Sequence, residues 1–139
     1  MKLVLDTNVV ISAFINPHGT PSQIMGIVLK RKAELYYNAV ILCEYESVML
    51  RPKFSCKIDP AGISQFINLI RNIGTSFNPL RSKIELADES DRIFYDTAKE
   101  SGAILISGNL KHFPKERFIL SPSEFLELIT AGRTTGITI

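Results

Sequence analysis

The chain has 139 residues and a formal net charge of +2, so it is long enough for one domain with a hydrophobic core, and its overall charge does not by itself indicate a polyanionic partner. Its 45% hydrophobic and 22% charged residues are ordinary for a globular protein. The sequence shows no signal-peptide pattern, no apolar run of the roughly 20 residues that span a membrane, and no metal-type spacing of Cys43 and Cys56, which favours a cytoplasmic protein with reduced thiols.

Short apolar runs alternate with helical patterns along the chain. In chain order the patterns predict strands at 2–5, 34–38, 75–78, 103–107 and 117–120, and helices at 20–32, 40–50, 59–73, 88–101 and 121–130. Thr20-Pro21-Ser22-Gln23 and Ser121-Pro122-Ser123-Glu124 are typical of capping boxes at helix starts. Gly74 and Gly102 follow two of the predicted helices, as glycines at helix ends do.

This alternation predicts a three-layer α/β/α domain with a mostly parallel central sheet. The first strand, Lys2–Leu5, is almost entirely apolar, which favours a central position covered on both faces. There is no internal repeat or linker, so we expect one domain over 1–139, with 131–139 as a loose tail.

Acidic and amide side chains gather where the predicted strands end or where the following helices begin. Asp6 follows the first strand, and Asn109 follows the strand at 103–107. The other members of the set lie in two predicted helices: Glu44, Glu46, Asp88, Glu89 and Asp91. Because ligands of open parallel sheets bind beyond the carboxyl ends of the strands, we expect these side chains to converge there. A cluster of carboxylates is stable only with a cation, and oxygen ligands favour Mg²⁺ or Mn²⁺ and metal-assisted phosphodiester hydrolysis.

Each of these residues also has a purely structural interpretation. Asp6 is a suitable helix cap, and Asp88 is better explained as a cap than as a ligand. Glu44 or Glu46 alone is best explained as a surface acid, and Asn109 after Gly108 is typical of a turn. The arrangement at successive strand ends therefore supports the site more than any one residue does.

Three segments resemble the PIN domain family, in particular its toxin members. They are "LDTNVVIS", "LCEYESVMLRPKF" and "DESDRIFYDTAKESGAILISGNLKHFP", and the likeness extends from Met1 to about Leu126. The resemblance implies that Asp6, Glu44 and Asp91 hold the metal. It favours Glu44 over Glu46, which helical geometry separates poorly.

The same resemblance assigns the remaining site residues. The fourth ligand position, usually an aspartate, is Asn109 here, which keeps an oxygen but removes a charge, so a second metal should bind more weakly. Ser12 and Ser107 match hydroxyl positions that support the site, and Asn8 matches a position that buttresses the first acid.

The resemblance implies a Mg²⁺- or Mn²⁺-dependent endoribonuclease that is the toxin of a bacterial toxin–antitoxin pair. The expected partners are an RNA substrate, an antitoxin protein and a second copy of the chain, with no membrane. Basic side chains near the acids are candidate contacts for RNA phosphates: Arg51, Lys53, Lys111 and His112.

Two rival functions stay open from the residues. A phosphatase that uses Asp6 as nucleophile would place a second acid two residues later, where this chain has Asn8. A non-catalytic RNA-binding or protein-interaction module would keep the fold and tolerate Asn109. Only turnover separates that module from the nuclease, because both would bind metal.

Overall fold

The computed structural model of the chain describes residues 1–135, with the side chains of residues 1–131. Five strands form one parallel sheet in the order β3-β2-β1-β4-β5. Their bounds are β1 at Lys2–Leu5, β2 at Glu34–Tyr37, β3 at Thr75–Ser76, β4 at Ile104–Ile106 and β5 at Ile119–Leu120. The predicted mostly parallel sheet with β1 at its centre is confirmed.

Six α-helices connect and cover the strands. They are α1 at Thr7–Ile15, α2 at Thr20–Leu29, α3 at Ala39–Met49, α4 at Pro60–Ile73, α5 at Arg92–Ser101 and α6 at Pro122–Thr135. The chain runs outward from β1 to β3 and then crosses back to β4 on the other side of β1, and right-handed crossovers place α5 on the opposite face of the sheet from the helices that connect β1, β2 and β3. The last helix, α6, contacts α2. Of the helices described, none is long and apolar enough to cross a membrane.

The middle strand forms the centre of the core. Leu3, Val4 and Leu5 are all 0% exposed, because both faces and both edges of β1 are covered. In the ladder, Leu3 lies opposite Leu35 of β2 on one side and Ile104 of β4 on the other. The end of β1, and therefore Asp6, is held from both sides.

Helix ends agree with the sequence where the cap is local. Ser121 and Glu124 form the predicted capping box: the Ser121 N–H donates to Oε1 of Glu124 at 2.9 Å and the Glu124 N–H donates to Oγ of Ser121 at 3.1 Å. Gly102 ends α5 with a φ of 78°, a left-handed conformation that glycine adopts without strain.

The other predicted capping box does not form. The N-cap of α2 is Gly19, not Thr20, and no side chain caps it. The Ser22 hydroxyl donates instead to the carbonyl oxygens of Ala13 at 2.9 Å and Asn16 at 2.6 Å. Ser22 therefore ties the end of α1 to the start of α2, a contact between helices that local pattern does not show.

The ends and lengths of several elements differ from the prediction. The helix α2 ends at Leu29 rather than at 32, because Arg31 takes a left-handed backbone with a φ of 58° and turns the chain toward β2. The strands β3 and β5 have two residues each, shorter than predicted. The segment predicted to be one helix over 88–101 begins as a 3-10 turn at Glu89–Asp91.

Two helical stretches exceed the prediction. The helix α1 was not among the predicted elements, since Val9, Val10 and Ile11 favour strands in isolation, but their burial outweighs this weak preference. The helix α6 reaches Thr135, so residues 131–135 are helical and not a loose tail. An interior Gly132 costs only about 1 kcal/mol and does not by itself stop a helix. The rest of the predicted tail, 136–139, lies outside the described residues.

Candidate active site

A cleft of about 430 Å³ opens at the end of β1, beside α3 and the start of α5. Its wall contains all four predicted ligand positions: Asp6, Glu44, Asp91 and Asn109. The supporting residues Asn8 and Ser12 also line it. Residues that are up to about 100 positions apart in sequence thus share one wall because three parallel strands end at the same edge.

Asp6 is held by hydrogen bonds at both carboxylate oxygens. The backbone N–H of Thr7 donates to Oδ1 at 2.9 Å, and the Ser107 hydroxyl donates to Oδ2 at 2.7 Å. The side-chain amide of Asn8 lies 3.4 Å from Oδ2. Burial is the largest influence and raises the pKa of Asp6, while these hydrogen bonds oppose that rise. Asp6 is therefore the N-cap of α1 and at the same time an acid of the cleft.

Asn8 and Ser107 also fasten the loop after β4 to the start of α1. Oδ1 of Asn8 accepts a hydrogen bond from the N–H of Gly108 at 3.0 Å, and Oγ of Ser107 accepts one from the N–H of Asn109 at 3.0 Å. The supporting contacts expected of Asn8 and Ser107 are thus present. Ser12 is exposed at the cleft wall, and among the described residues no hydrogen bond joins its hydroxyl to an acid.

Asp91 stands at the start of α5 but makes no capping hydrogen bond with its side chain. Asp88 performs that role for the preceding 3-10 turn, accepting hydrogen bonds from the Ser90 N–H at 2.9 Å and hydroxyl at 2.8 Å, as its capping interpretation predicts. The Asp91 carboxylate is therefore available to the cleft. Burial, followed by the charge of Asp6, raises the pKa of Asp91 to about 6.

His112 bridges Asp91 and Asn109. Nδ1 of the ring lies 3.2 Å from Oδ2 of Asp91, and Nε2 lies 3.0 Å from the side-chain nitrogen of Asn109. A neutral ring with its proton on Nδ1 satisfies both contacts, because Nδ1 then donates to the carboxylate and Nε2 accepts from the amide. The amide oxygen of Asn109 is left for another partner.

The structure distinguishes Glu44 from Glu46. Glu44 is half-buried and lines the cleft, whereas Glu46 is exposed and is not part of its wall. The next residue explains the orientation: Tyr45 is fully buried, and its hydroxyl donates to the carbonyl oxygen of Leu5. This bond fixes α3 against the end of β1, one residue before Asp6.

The donor set suits a hard divalent cation. Its acids and amide offer oxygen ligands, and the buried hydroxyl of Thr7 at the cleft wall has no hydrogen-bond partner among the described residues. The mutual repulsion of Asp6 and Asp91 is also what a cation would relieve. Within residues 1–135, however, no three His, Cys, Asp or Glu side chains lie close enough to hold one ion, so an ion bound by all three carboxylates would require at least one of them to move inward.

The predicted basic contacts separate into two places. Arg51, Lys53 and His112 line the cleft beside the acids. Lys111 lies in a neighbouring groove instead. The partly buried Phe54, next to Lys53, also lines the cleft.

The sequence patterns did not identify Asn38, a buried residue that positions the helices beside the cleft. Asn38 caps α3 by accepting a hydrogen bond from the Ile41 N–H, and its side-chain amide donates to the Phe77 carbonyl and to the Thr97 hydroxyl. An asparagine directly before a predicted helix is a local indication of a cap. Its link to Thr97, 59 residues away, has no local indication.

Comparison with known proteins agrees with this architecture. The model of the PIN domain family matches residues 2–111. An uncharacterized protein of Methanocaldococcus jannaschii is 34% identical over 110 residues, which cover 78% of this chain and 71% of that protein. A chain in the crystal structure of VapBC2 from Rickettsia felis, bound to a DNA fragment from their promoter, superposes with a TM-score of 0.55 at 16% identity, covering 87% of this chain and 98% of that one. At that identity the structural match establishes the shared fold alone.

Proposed function

The chain belongs to the PIN domain family, and from this we propose that it is a Mg²⁺- or Mn²⁺-dependent endoribonuclease, the toxin of a toxin–antitoxin pair. PIN domains are generally nucleases that use divalent metal ions. The observation that carries the proposal is the convergence of Asp6, Glu44, Asp91 and Asn109 on one cleft.

These four side chains would hold the ion through three carboxylates and one amide oxygen. A bound divalent ion supplies a Lewis acid that activates water and stabilises the leaving oxygen. The Thr7 N–H and the Ser107 hydroxyl orient the Asp6 carboxylate for that task. His112 contacts Asp91 and the side-chain nitrogen of Asn109, so the amide oxygen of Asn109 would be free to act as a ligand of the ion.

The basic side chains would bind the substrate. Arg51 and Lys53 are exposed at the cleft wall, where they can contact the phosphates on either side of the scissile bond. Such contacts hold a polyanion against an acidic site, and they carry no base specificity.

The test is metal-dependent cleavage of RNA by the purified protein. Mixed RNA is incubated with Mg²⁺, Mn²⁺ or EDTA, and products are separated on a denaturing gel. We expect weak cleavage that EDTA stops and that Asp6→Asn abolishes, because that variant loses a charge buried at the centre of the site. Cleavage that is equally strong in EDTA would contradict the proposal.

Asn109→Asp tests the departure from the commoner ligand set. An added carboxylate should tighten Mn²⁺ binding, measured by calorimetry, and should leave cleavage equal or higher. Loss of a measurable activity in Asn109→Asp would instead show that the amide has a role of its own, such as its contact with His112.

The same Asn109 supports a second candidate, a non-catalytic module that keeps the fold and binds RNA or protein. If neither the native protein nor Asn109→Asp cleaves RNA with either metal, while the Asp6→Asn control binds RNA as the native protein does, this second candidate is the better one.

The partners we propose are RNA, an antitoxin protein and a second copy of the chain, in the cytoplasm. In size-exclusion chromatography with light scattering, a homodimer would have about twice the 15.5 kDa mass of one chain. A monomer at all concentrations tested would remove the dimer from the proposal and leave the nuclease unaffected.

A further inference from the structure

A second cavity, of about 720 Å³, lies between the 3-10 turn at Leu110–His112 and the start of α6. We name it the basic groove. It is separate from the cleft, but the two share the turn, since Leu110 and Lys111 line the groove and His112 lines the cleft. None of its lining residues belongs to the proposed metal site.

The floor of the basic groove is apolar. Phe113 is 6% exposed and Ile119 is 8% exposed, so both are part of the core and expose little surface to the groove. Leu110 is 38% exposed beside them, and the ring of Pro114 is half-buried. An occupant with apolar side chains would cover this surface, which contributes roughly 25 cal/mol for each Å² removed from water.

The charged rim of the basic groove is unbalanced. Lys111, Lys115 and Arg117 are exposed, and among the described residues none of them has an ion-pair partner. The two acids of the lining are already engaged. Glu116 accepts hydrogen bonds from the Tyr95 hydroxyl and from Lys99, and Glu124 accepts one from the N–H of Ser121 in the capping box.

We propose that the basic groove binds an acidic peptide segment of a protein partner, with apolar side chains on the floor and carboxylates at the three rim cations. Charge complementarity requires an anionic occupant, and the apolar floor requires one with apolar side chains. RNA fits less well, because Phe113, the one aromatic residue among the described lining residues, is buried and exposes little surface on which a base can stack.

A displayed library of random 12-residue peptides tests this on the intact protein. We expect enrichment of peptides that combine Asp or Glu with Leu, Ile or Phe. Their affinity should fall about tenfold or more in the triple variant Lys111→Gln, Lys115→Gln, Arg117→Gln, and should also fall as salt rises. Leu110→Gln should weaken the same peptides through the floor, independently of charge.

The matched control is Lys30→Gln, Arg31→Gln, Lys32→Gln. It removes the same two lysines and one arginine from the turn between α2 and β2, which does not line the groove. The control should bind the peptides as the native protein does. The thermal stability of each variant is measured first, and affinities are compared only among variants that are as stable as the native protein.

Three results of the peptide experiment would overturn the proposal. They are a selection without enriched peptides, enriched peptides without acidic residues, and equal loss of affinity in the control variant. A labelled 12-nucleotide single-stranded RNA is measured in parallel on Asp6→Asn. RNA binding that depends on the three rim cations, with no peptide binding, would make the groove a polyanion subsite and would also overturn the proposal. Because the readout is peptide affinity, it is independent of nuclease activity.

Discussion

The position of Asp91 favours cation binding but lowers the stability of the metal-free protein when its carboxylate is charged. It is buried near Asp6, and its pKa of about 6 shows that its charged form is disfavoured in the folded protein. A carboxyl group whose pKa is higher in the folded than in the unfolded protein contributes stability at pH values below its unfolded pKa. This contribution is lost as the pH rises through the folded pKa. For Asp91 this loss of stability occurs between about pH 4 and 6. Above that range the charged carboxylate destabilises the metal-free protein.

Asp91→Asn should stabilise the metal-free protein at high pH. In EDTA at pH 8 we expect the free energy of unfolding to exceed that of the native protein by on the order of 1 kcal/mol after solvent screening, and the midpoint of thermal unfolding to be correspondingly higher. The gain should shrink as pH falls from 8 to 5, because the native carboxyl then becomes neutral. Calorimetry at several pH values measures it.

Glu85→Gln is the control for that measurement, since Glu85 is exposed and has no ionic partner among the described residues. Because this change is on an exposed side chain, it should leave the midpoint of thermal unfolding close to that of the native protein. If Asp91→Asn destabilises the protein at pH 8, the contact of Asp91 with His112 outweighs the cost of its burial and of its repulsion from Asp6.

Asn38 joins α3, α5 and the segment after β3 at one buried side chain. Its oxygen caps α3, and its amide group reaches the Phe77 carbonyl at 3.1 Å and the Thr97 hydroxyl of α5 at 2.9 Å. All the side-chain hydrogen-bonding groups of Asn38 are used. The helix that carries Glu44 and the helix that follows Asp91 are thereby held together.

Asn38→Ala should lower the free energy of unfolding by about 2 to 4 kcal/mol, since it removes a helix cap and leaves buried partners unsatisfied. Urea unfolding followed by circular dichroism measures this. Asn72→Ala on the exposed side of α4 removes the same side chain without such partners and should change stability little. Equal effects in the two variants would mean that the Asn38 network does not stabilise the fold.

Arg92 fastens the segment between β3 and α5, which has no regular secondary structure between Ser76 and Glu89. Its guanidinium pairs with both carboxylate oxygens of Glu89 at 2.7 Å and donates to the Ser82 and Ile84 carbonyls. The pairing is bidentate, and the Glu89 pKa falls to about 2 as a result.

Arg92→Gln should release this segment while the sheet stays folded. Trypsin should then cut at Arg81 or Lys83 faster than in the native protein, with mass spectrometry locating the cut. Arg71→Gln on exposed α4 is the control and should leave the rate unchanged. If the cutting rate of Arg92→Gln is also unchanged, other contacts such as the Ser82 N–H to Asp96 bond suffice to hold the segment.

Across the whole molecule, stability depends on the central strand. Leu3 is fully buried between its neighbours in β2 and β4, so Leu3→Ala should cost about 2 to 5 kcal/mol through lost burial and the cavity left behind. Leu69→Ala on α4, where the leucine is partly exposed, should cost much less. Similar losses in denaturant unfolding would argue against β1 as the centre of the core.

The sequence by itself determined the elements whose causes are local. The apolar run at Lys2–Leu5 indicated a covered strand, Ser121 with Glu124 indicated a cap, and Gly102 indicated a helix end, and all three are present. The order of strands and helices was enough to predict the parallel sheet, because few topologies obey short, right-handed connections. The convergence of acids on one edge followed from that topology, and their role in metal binding stays a prediction.

Only the tertiary structure decided the features that depend on partners distant in sequence. The choice between Glu44 and Glu46 depends on the bond from Tyr45 to the Leu5 carbonyl, which sets the rotation of α3. The ends of α2, the helix at Thr7–Ile15 and the role of Ser22 depend on packing that outweighs propensities of less than about 1 kcal/mol per residue. The place of His112 between Asp91 and Asn109 likewise needs residues 21 apart to meet, and periodicity along the chain carries no information about that distance.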